Sequence, residues 1–386
     1  MISVFRYLLT ATLAVFALSG CMEETPFSGE PVAEASEVSE LDVTLPDHPR
    51  GPRLVSLKAM DWNIYVGTDV GIVLNAPPDQ IPFAAAEAYR LYLSTNFAER
   101  AERIADFIRL HRPHLIGLQE VAYLERNGVL EFEHLDILMD ALARRNLPYR
   151  VAGVVTNADI SLPMVLNPPT LESVRLVDRD VILARRDVRT DNVEAVRYQA
   201  ALPLPDLGLS IPRGYVALDA TVNGRTIRFV NTHLEAFVEV VRNAQAQELL
   251  FRLQNETNPI VLVGDFNSPA PDGPTYLDIE AAGYVDIWPE NLLRREGPGY
   301  TSPHAGDLRN TDIFLDKRID QIWVRTAGDP IGRFEIGPVL AVVVGDELRD
   351  RTRSGLWPSD HAGVVARMLI PIPRRNAAAE VLALER

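Results

Sequence analysis

The fold of this chain is decided by residues 260–267, which read Ile-Val-Leu-Val-Gly-Asp-Phe-Asn. Four consecutive apolar residues are typical of a strand that is buried on both faces, and Gly264 allows another group to approach the backbone closely. Asp265 and Asn267 then follow at the strand end, where polar groups are costly unless they are paired or bind a ligand. Because Gly, Asp and Asn also form turns, the stretch predicts either a simple turn or part of a functional site.

Other polar residues stand beside apolar runs in the same way. Glu120 follows the apolar run 115–118, and His233 follows the run 227–230. The remaining examples are Asn63, Asp320, Asp360 and His361. Since the catalytic groups of α/β folds gather where strands end, this recurrence predicts one shared site.

Short apolar runs alternate with helical patterns from residue 53 to about residue 371, which favours a single α/β domain over residues 53–373. The clearest helix is predicted over Phe97–Leu110, with Asn96 and Glu99 in a capping arrangement at its start. We also expect helices over Ala84–Leu93 and Val238–Gln254. The second of these would be a crossover between two strands.

The chain carries 38 basic and 53 acidic residues, for a net charge of −15. Proteins that grip long nucleic acids usually show a basic surface, so this balance disfavours that class without excluding it. Lysine occurs only at Lys58 and Lys317, although arginine is plentiful.

The N-terminus predicts export. The apolar run Leu8–Leu18 is too short to span a bilayer and is typical of a signal peptide. It ends in Leu-Ser-Gly-Cys, which resembles the lipobox of bacterial lipoproteins and implies lipidation of Cys21, the only cysteine. An ordinary signal peptide with an incidental cysteine is the alternative. A lone cysteine also excludes an internal disulfide framework.

The predicted organisation is a signal peptide over 1–21, a disordered acidic tether over 22–52, the domain, and a tail over 374–386. We expect a monomer that is held on a bacterial membrane through Cys21, in the periplasm or at the cell surface.

The strand-end residues suit phosphate chemistry with a metal. Asn63 and Glu120 form a candidate Mg²⁺ site, since Mg²⁺ is held by one or two carboxylates and keeps several waters. Asp61 lies on the same strand face as Asn63 and is a candidate helper. Asp265 could take a proton from an attacking water, and Asn267 could hold that water or a phosphate oxygen.

A histidine pair completes this hypothesis. Asp320 suits a carboxylate that orients His361, which could then stabilise negative charge on phosphate, with Asp360 beside the metal. His233 would be a second donor to the phosphate. The other histidines, at positions 48, 111, 114, 134 and 304, have no comparable setting.

In order, these motifs resemble the endonuclease/exonuclease/phosphatase family over roughly residues 55–370. The matching elements are Trp62-Asn63, Gln119-Glu120, Asn231-Thr232-His233-Leu234, Gly264-Asp265-Phe266-Asn267, Arg318-Ile319-Asp320 and Ser359-Asp360-His361. The resemblance implies a four-layer α/β sandwich of the DNase I type, in which two central mixed sheets are flanked by helices. It also implies phosphoester hydrolysis that depends on Mg²⁺, with Mn²⁺ as a possible substitute.

The resemblance assigns roles to single residues. It implies that Asn63 and Glu120 bind the metal, that Asp265 activates water, and that Asn267 and His233 contact phosphate. The essential histidine would be His361, supported by Asp320.

The chain departs from the apurinic-site subfamily at three places. Tyr65 stands where many of those enzymes have an acidic residue, and residues 178–185 replace a Gly-rich strand that ends in Ser-Arg. Residues 68–96 lengthen the connection after Asn63, and we expect such an insertion to shape the substrate entrance.

The sequence therefore predicts a metal-dependent phosphoesterase that acts on a phosphomonoester or phosphodiester. An extracellular nuclease is the first alternative, and a non-catalytic lipoprotein that binds phosphorylated ligands is the second. A lipid, a nucleotide, a sugar phosphate and a nucleic acid all remain open as substrates, because the motifs concern only the shared phosphate.

Overall fold

A computed structural model describes residues 53–205, 208–293, 297–326 and 337–372. The predicted signal peptide, tether and tail, including Cys21, lie outside these residues. Within the described part of the chain, no helix is both long and apolar enough to cross a membrane.

The elements follow in chain order as β1 (Arg53–Asn63), α1 (Gly71–Leu74), α2 (Ile81–Ser94), α3 (Phe97–His111), β2 (Leu115–Gln119), β3 (Tyr123–Arg126), β4 (Val129–Glu133), α4 (His134–Arg144), β5 (Tyr149–Met164), β6 (Glu172–Arg185), β7 (Arg189–Leu204), β8 (Leu209–Val222), β9 (Arg225–His233), α5 (Glu239–Leu253), β10 (Ile260–Asp265), α6 (Pro274–Ala281), β11 (Val285–Asp286), β12 (Asp320–Arg325), β13 (Val339–Val344) and β14 (Gly363–Ile372). Short 3₁₀ turns lie at Pro78–Gln80 and Leu348–Asp350.

The strands form two mixed sheets. The first has the order β13-β14-β1-β2-β6-β3-β4, with β5 also paired to β6. The second has the order β11-β12-β10-β9-β8-β7. Strands β9 and β10 are parallel and are joined by α5, which confirms the predicted helical crossover.

The sheets pack face to face and are covered by helices on their outer faces. Leu57 and Ile182 of the first sheet pack with Phe229 and Val263 of the second in one fully buried apolar layer. Helices α3 and α4 cover the outer face of the first sheet, and α5 and α6 cover that of the second. This arrangement confirms the predicted four-layer α/β sandwich. Burial on both faces explains why the central strands are continuous apolar runs.

The predicted helices are confirmed to within a few residues, but the predicted cap of α3 is wrong. Asn96 has a φ of 38°, in the left-handed region, and its side chain makes no capping hydrogen bond. The carboxylate of Glu99 instead accepts hydrogen bonds from the backbone N–H and the hydroxyl of Ser354, at 2.9 and 2.5 Å. A tertiary contact, which local sequence does not reveal, has replaced the local one.

Gly117 in β2 lies where the two sheets approach each other. A Cβ atom at this position would lie 2.4 Å from Cγ2 of Val263 and 3.0 Å from Oδ1 of Asn231, both in the second sheet. Any side chain here must therefore displace the side chain of Val263 or Asn231, or the strands that carry them.

We expect Gly117→Ala to lower the free energy of unfolding by about 1–3 kcal/mol, because the added methyl group overpacks the interface. Urea unfolding measures this change. Gly306→Ala is the matched control, since its nearest contact would be an ordinary 3.4 Å from the Tyr65 hydroxyl. Equal urea midpoints for the two variants would contradict the inferred tightness of the interface.

Candidate active site

Three predicted site residues are brought together by strand register in the second sheet. Asp265 at the end of β10 lies opposite His233 of β9 on one side and opposite Asp320 of β12 on the other. All three side chains are buried. Residues far apart in the sequence thus share one sheet edge.

The first sheet contributes Asn63 and Glu120 to the same place. Strands β1 and β2 are parallel, with Asn63 opposite Gln119, so Asn63 and Glu120 lie at one edge. The Asn63 Nδ2 group donates to Glu120 Oε1 at 3.0 Å and to Asp265 Oδ2 at 3.1 Å. The second of these hydrogen bonds joins the two sheets.

His361 is paired with Asp320, as the sequence predicts. Its Nδ1 lies 2.8 Å from Asp320 Oδ2, and its Nε2 lies 3.9 Å from Asp265 Oδ2. Burial alone lowers the pKa of His361, but the nearby carboxylates of Asp320, Asp265 and Asp360 outweigh it and raise this pKa well above its usual range. His361 is therefore a buried cation near neutral pH.

Asp265 has the properties of a general base. Burial, followed by repulsion from Asp320, raises the pKa of Asp265 to about 7. The backbone N–H of Asn267 donates to Asp265 Oδ1 at 2.9 Å and fixes the carboxylate. A base with a pKa near the working pH can both exist deprotonated and accept a proton effectively.

His233 is held as a neutral hydrogen-bond donor by Arg213. The Arg213 Nη1 group lies 3.0 Å from His233 Nδ1 and 2.9 Å from Asp178 Oδ2. Because a guanidinium only donates, His233 Nδ1 must accept, which leaves the proton on Nε2. That Nε2 lies 3.5 Å from Asp265 Oδ2. Burial and the charge of Arg213 lower the pKa of His233 well below its usual range.

Sequence reasoning did not find Arg213. Strand β8 places it on the same face as Ile211, two residues earlier, so a charged residue stands at an inward-facing position. That break in the apolar pattern was the signal that the sequence offered.

Glu120 and Asp360 offer oxygen atoms suited to a divalent metal. Burial and the charge of Glu120 raise the pKa of Asp360 to about 7 despite the adjacent His361 cation. The carboxylate of Glu120 accepts hydrogen bonds from Val66 N at 2.5 Å and from Asn63. Each carboxylate oxygen keeps a further lone pair, and the local excess of negative charge favours a cation. These residues fit a hard metal ion.

A second group, Asp265, Asp320 and His361, places possible ligand atoms within 4.8 Å of one another. A protonated His361 has no lone pair to offer a metal, and its Nδ1 is already bonded to Asp320. In this structure the trio forms an ion-paired cluster.

Asp61 occupies a different place from the one predicted for a metal helper. Gln119 Nε2 donates to Asp61 Oδ1 at 2.8 Å and to Asn231 Oδ1 at 2.6 Å. Burial and repulsion from Asp320 raise the pKa of Asp61 well above its usual range. Asp61 thus belongs to a buried polar network between the sheets. The side chain of Asn267 is held by the backbone, since its Nδ2 donates to Leu234 O at 3.0 Å, and its predicted contact with water or phosphate stays a prediction.

A buried arginine that the sequence did not single out supports the site from behind. Arg100 of α3 donates to the carbonyl oxygens of Ile64 at 2.7 Å, Pro358 at 3.0 Å and Thr95 at 2.9 Å. Ile64 directly follows Asn63, and Pro358 shortly precedes Asp360. Arg100 therefore holds two site segments in a fixed relation.

Comparison with known proteins identifies the family of the chain. The sequence profile of the Endonuclease/Exonuclease/phosphatase family matches residues 62–361. The chain belongs to the endonuclease/exonuclease/phosphatase family. Members of this family are generally hydrolases that act on phosphoester bonds. No curated protein matches the sequence significantly.

Solved structures share the family fold. An endonuclease/exonuclease/phosphatase from Bacteroides vulgatus is 16% identical, with a TM-score of 0.51 over 82% of this chain and 99% of that one. A family protein from Bacteroides thetaiotaomicron is 15% identical, with a TM-score of 0.50 over 83% of this chain and 100% of that one. TDP2 of D. rerio, solved in complex with a single-strand DNA product, is 17% identical, with a TM-score of 0.48 over 81% and 98%.

We expect Asp320→Asn to lower the pKa of His361, since one full negative charge is removed from a buried contact. Titration of the imidazole ¹⁵N shifts by NMR measures it directly. Asp312→Asn, at an exposed position, is the matched control. An unchanged His361 titration in Asp320→Asn would show that this pair does not set the charge of the imidazole.

Proposed function

We propose that the protein is a metal-dependent phosphoesterase that hydrolyses a phosphomonoester or phosphodiester. The observation that carries this proposal is the placement of Asp265 beside two histidine N–H groups at 3.5 and 3.9 Å. Both distances exceed a normal hydrogen bond, so His233 and His361 keep these N–H groups for another acceptor. A phosphate oxygen is the acceptor that suits one neutral and one cationic donor.

The protein residues divide the work of hydrolysis. Asp265 accepts the proton of a water molecule while that water attacks phosphorus in line with the departing ester oxygen. His361, held by Asp320, and His233, held by Arg213, donate to the phosphate oxygens as their negative charge grows. Asn63 and Asn267 fix the orientation of Asp265.

A divalent ion, Mg²⁺ or Mn²⁺, would be held by Glu120 and Asp360 with Asn63 nearby. When bound, such an ion neutralises phosphate charge and polarises a phosphoryl oxygen. The raised pKa of Asp360 supports this assignment, since a cation would relieve the repulsion between the two carboxylates.

We expect Asp265→Asn to lower kcat/KM about 10²–10⁴-fold, because the general base is lost while the volume of the side chain is kept. Turnover of bis-p-nitrophenyl phosphate in Mg²⁺ measures this, and EDTA should abolish it. Asp272→Asn, at an exposed position seven residues away, is the matched control. Equal turnover by wild type and Asp265→Asn, or full turnover in EDTA, would refute the proposed chemistry.

Export and lipid anchoring are proposed from the N-terminal sequence, whose Leu18–Cys21 resembles a lipobox. We expect Cys21→Ser to move the protein from the membrane fraction to the soluble fraction of a bacterial host, because the acyl chains have no attachment point. Immunoblotting of the two fractions measures the change, with Ser28→Ala as a control in the predicted tether. Membrane recovery that is equal for Cys21→Ser and wild type would exclude the anchor.

A further inference from the structure

A cavity of about 380 Å³ adjoins the candidate active site and is lined largely by aliphatic side chains. Glu120 and Asp360, the proposed metal ligands, are among its lining residues. The cavity is therefore continuous with the place where the phosphate would bind. Its volume falls in the range of about 300–1,000 Å³ that is typical of small-molecule sites.

One wall is built by strands β5 and β6. Ile160 lies opposite Leu176, and Leu162 lies opposite Val174, in an antiparallel ladder. All four line the cavity and are only partly buried. Asp178, two residues after Leu176, also lines the cavity and is bonded to Arg213. The same face of β6 thus runs from an apolar wall to the polar groups of the site.

Strands β7 and β8 and the insertion also contribute apolar residues to the cavity, and on β8 these residues lead to a polar group of the site. Leu202 of β7 pairs with Ile211 of β8, and Arg213 follows two residues later. The insertion over residues 68–96, which the sequence predicts to shape the entrance, adds Leu74 and Ala88 to the lining. The apolar wall therefore comes from elements on several sides and ends at the phosphate-facing residues.

The polar groups of the cavity are poorly placed to read a nucleic acid. Among the described lining residues the acidic ones are Asp69, Glu120, Asp178, Glu235 and Asp360, and Arg213 is the only cation. A polyanionic strand would be repelled beyond its scissile phosphate.

The lining tyrosines do not offer free hydroxyl groups either. Tyr65 donates to Gly306 O at 2.9 Å, and Tyr89 donates to the Glu131 carboxylate at 2.7 Å. The hydroxyl of Tyr92 is bonded to His134 Nε2 at 2.9 Å. These hydroxyls are already satisfied, so the cavity offers mainly apolar contact.

We propose that the substrate is an amphiphilic phosphate ester whose aliphatic chain lies in this cavity while its phosphate meets Asp265, His233 and His361. This inference rests on the proposed phosphoesterase function. Phe237, which lines the cavity and is 58% exposed, offers further apolar surface that a chain would cover. An exposed apolar surface beside a site is typical of ligand recognition.

The test is a series of 4-nitrophenyl alkyl phosphates from methyl to octyl, with Mg²⁺ and the whole protein. Water adds to phosphorus, the P–O bond to nitrophenolate breaks, and the alkyl chain stays on the product phosphate. We expect kcat/KM to rise about threefold per methylene up to the hexyl ester, somewhat below the fourfold of complete methylene burial.

Two substitutions should flatten this dependence. Ile160→Asn places a polar group in the wall, and Phe237→Ser removes apolar surface at a position that is 58% exposed. Both should reduce the octyl-to-methyl rate ratio at least about tenfold, because the chain loses apolar contact. Val240→Ser, at a 73% exposed apolar position outside the lining, should keep the wild-type ratio.

The outcomes separate the two proposals. Hydrolysis of all esters at one rate would overturn the aliphatic-chain inference and leave the phosphoesterase proposal intact. Absence of turnover above the Asp265→Asn background would refute the phosphoesterase proposal. In that case calorimetry would compare the affinities of hexyl phosphate and methyl phosphate. Tighter binding of hexyl phosphate would support binding of the alkyl chain in the cavity, and equal affinities would overturn it.

The source of the amphiphile is distinguished by how the octyl ester is presented. The ester is assayed as a monomer below its critical micelle concentration and after incorporation into phosphatidylcholine vesicles. Faster hydrolysis in vesicles would assign a bilayer lipid, and faster hydrolysis of the monomer would assign a free amphiphile. In the favoured presentation, Ile160→Asn should hydrolyse the octyl ester more slowly than Val240→Ser if the chain lies in the cavity, and equal rates would overturn that placement.

Discussion

The hydrogen bond from Asn63 Nδ2 to Asp265 Oδ2, 3.1 Å long, is the contact on which the site depends, since it links the polar ends of two separate sheets. A slip of one sheet over the other would separate Asp265, the proposed general base, from the proposed metal ligands. Two features oppose such a slip. Gly117 lets the sheets approach closely, and Asn231 Nδ2 reaches across to donate to Leu118 O and Val181 O at 3.0 Å. The geometry of the site is thus set by packing between the sheets.

The site concentrates buried charge, which is costly to fold. Carboxylates surround His361, and burial, followed by repulsion from neighbouring carboxylates, raises the pKa values of Asp61, Asp265 and Asp360. The apolar layers on both sides of each sheet offset this cost. The buried charges therefore lower the stability of the fold around the site, and the proposed hydrolysis requires these charges.

Sequence patterns were most informative where a residue's role follows from its place on a strand. Asp265 and Glu120 could be found because each comes just after a continuous apolar run, and His233 could be found because it comes shortly after the mostly apolar run 227–230. Arg100 could not, because its partners lie on other elements, and Arg213 was marked only by its inward-facing position on β8. The predicted cap of α3 was wrong for the same reason, because Ser354, far away in the sequence, donates to the Glu99 carboxylate. The cavity depends on rows of residues from several strands and on the insertion, so only the fold reveals it.

The pairing of β1 with β14 has a consequence for how the protein is made. The first described strand lies between β14 and β2, and Trp62 Nε1 donates to His361 O at 2.9 Å. Until residues 363–372 have left the ribosome, one edge of β1 has no partner and is open to wrong pairing. Contacts between such distant parts of a chain also form slowly. Each nascent chain therefore passes through an interval in which this edge of β1 is exposed, and the edge is covered only when β14 has been made.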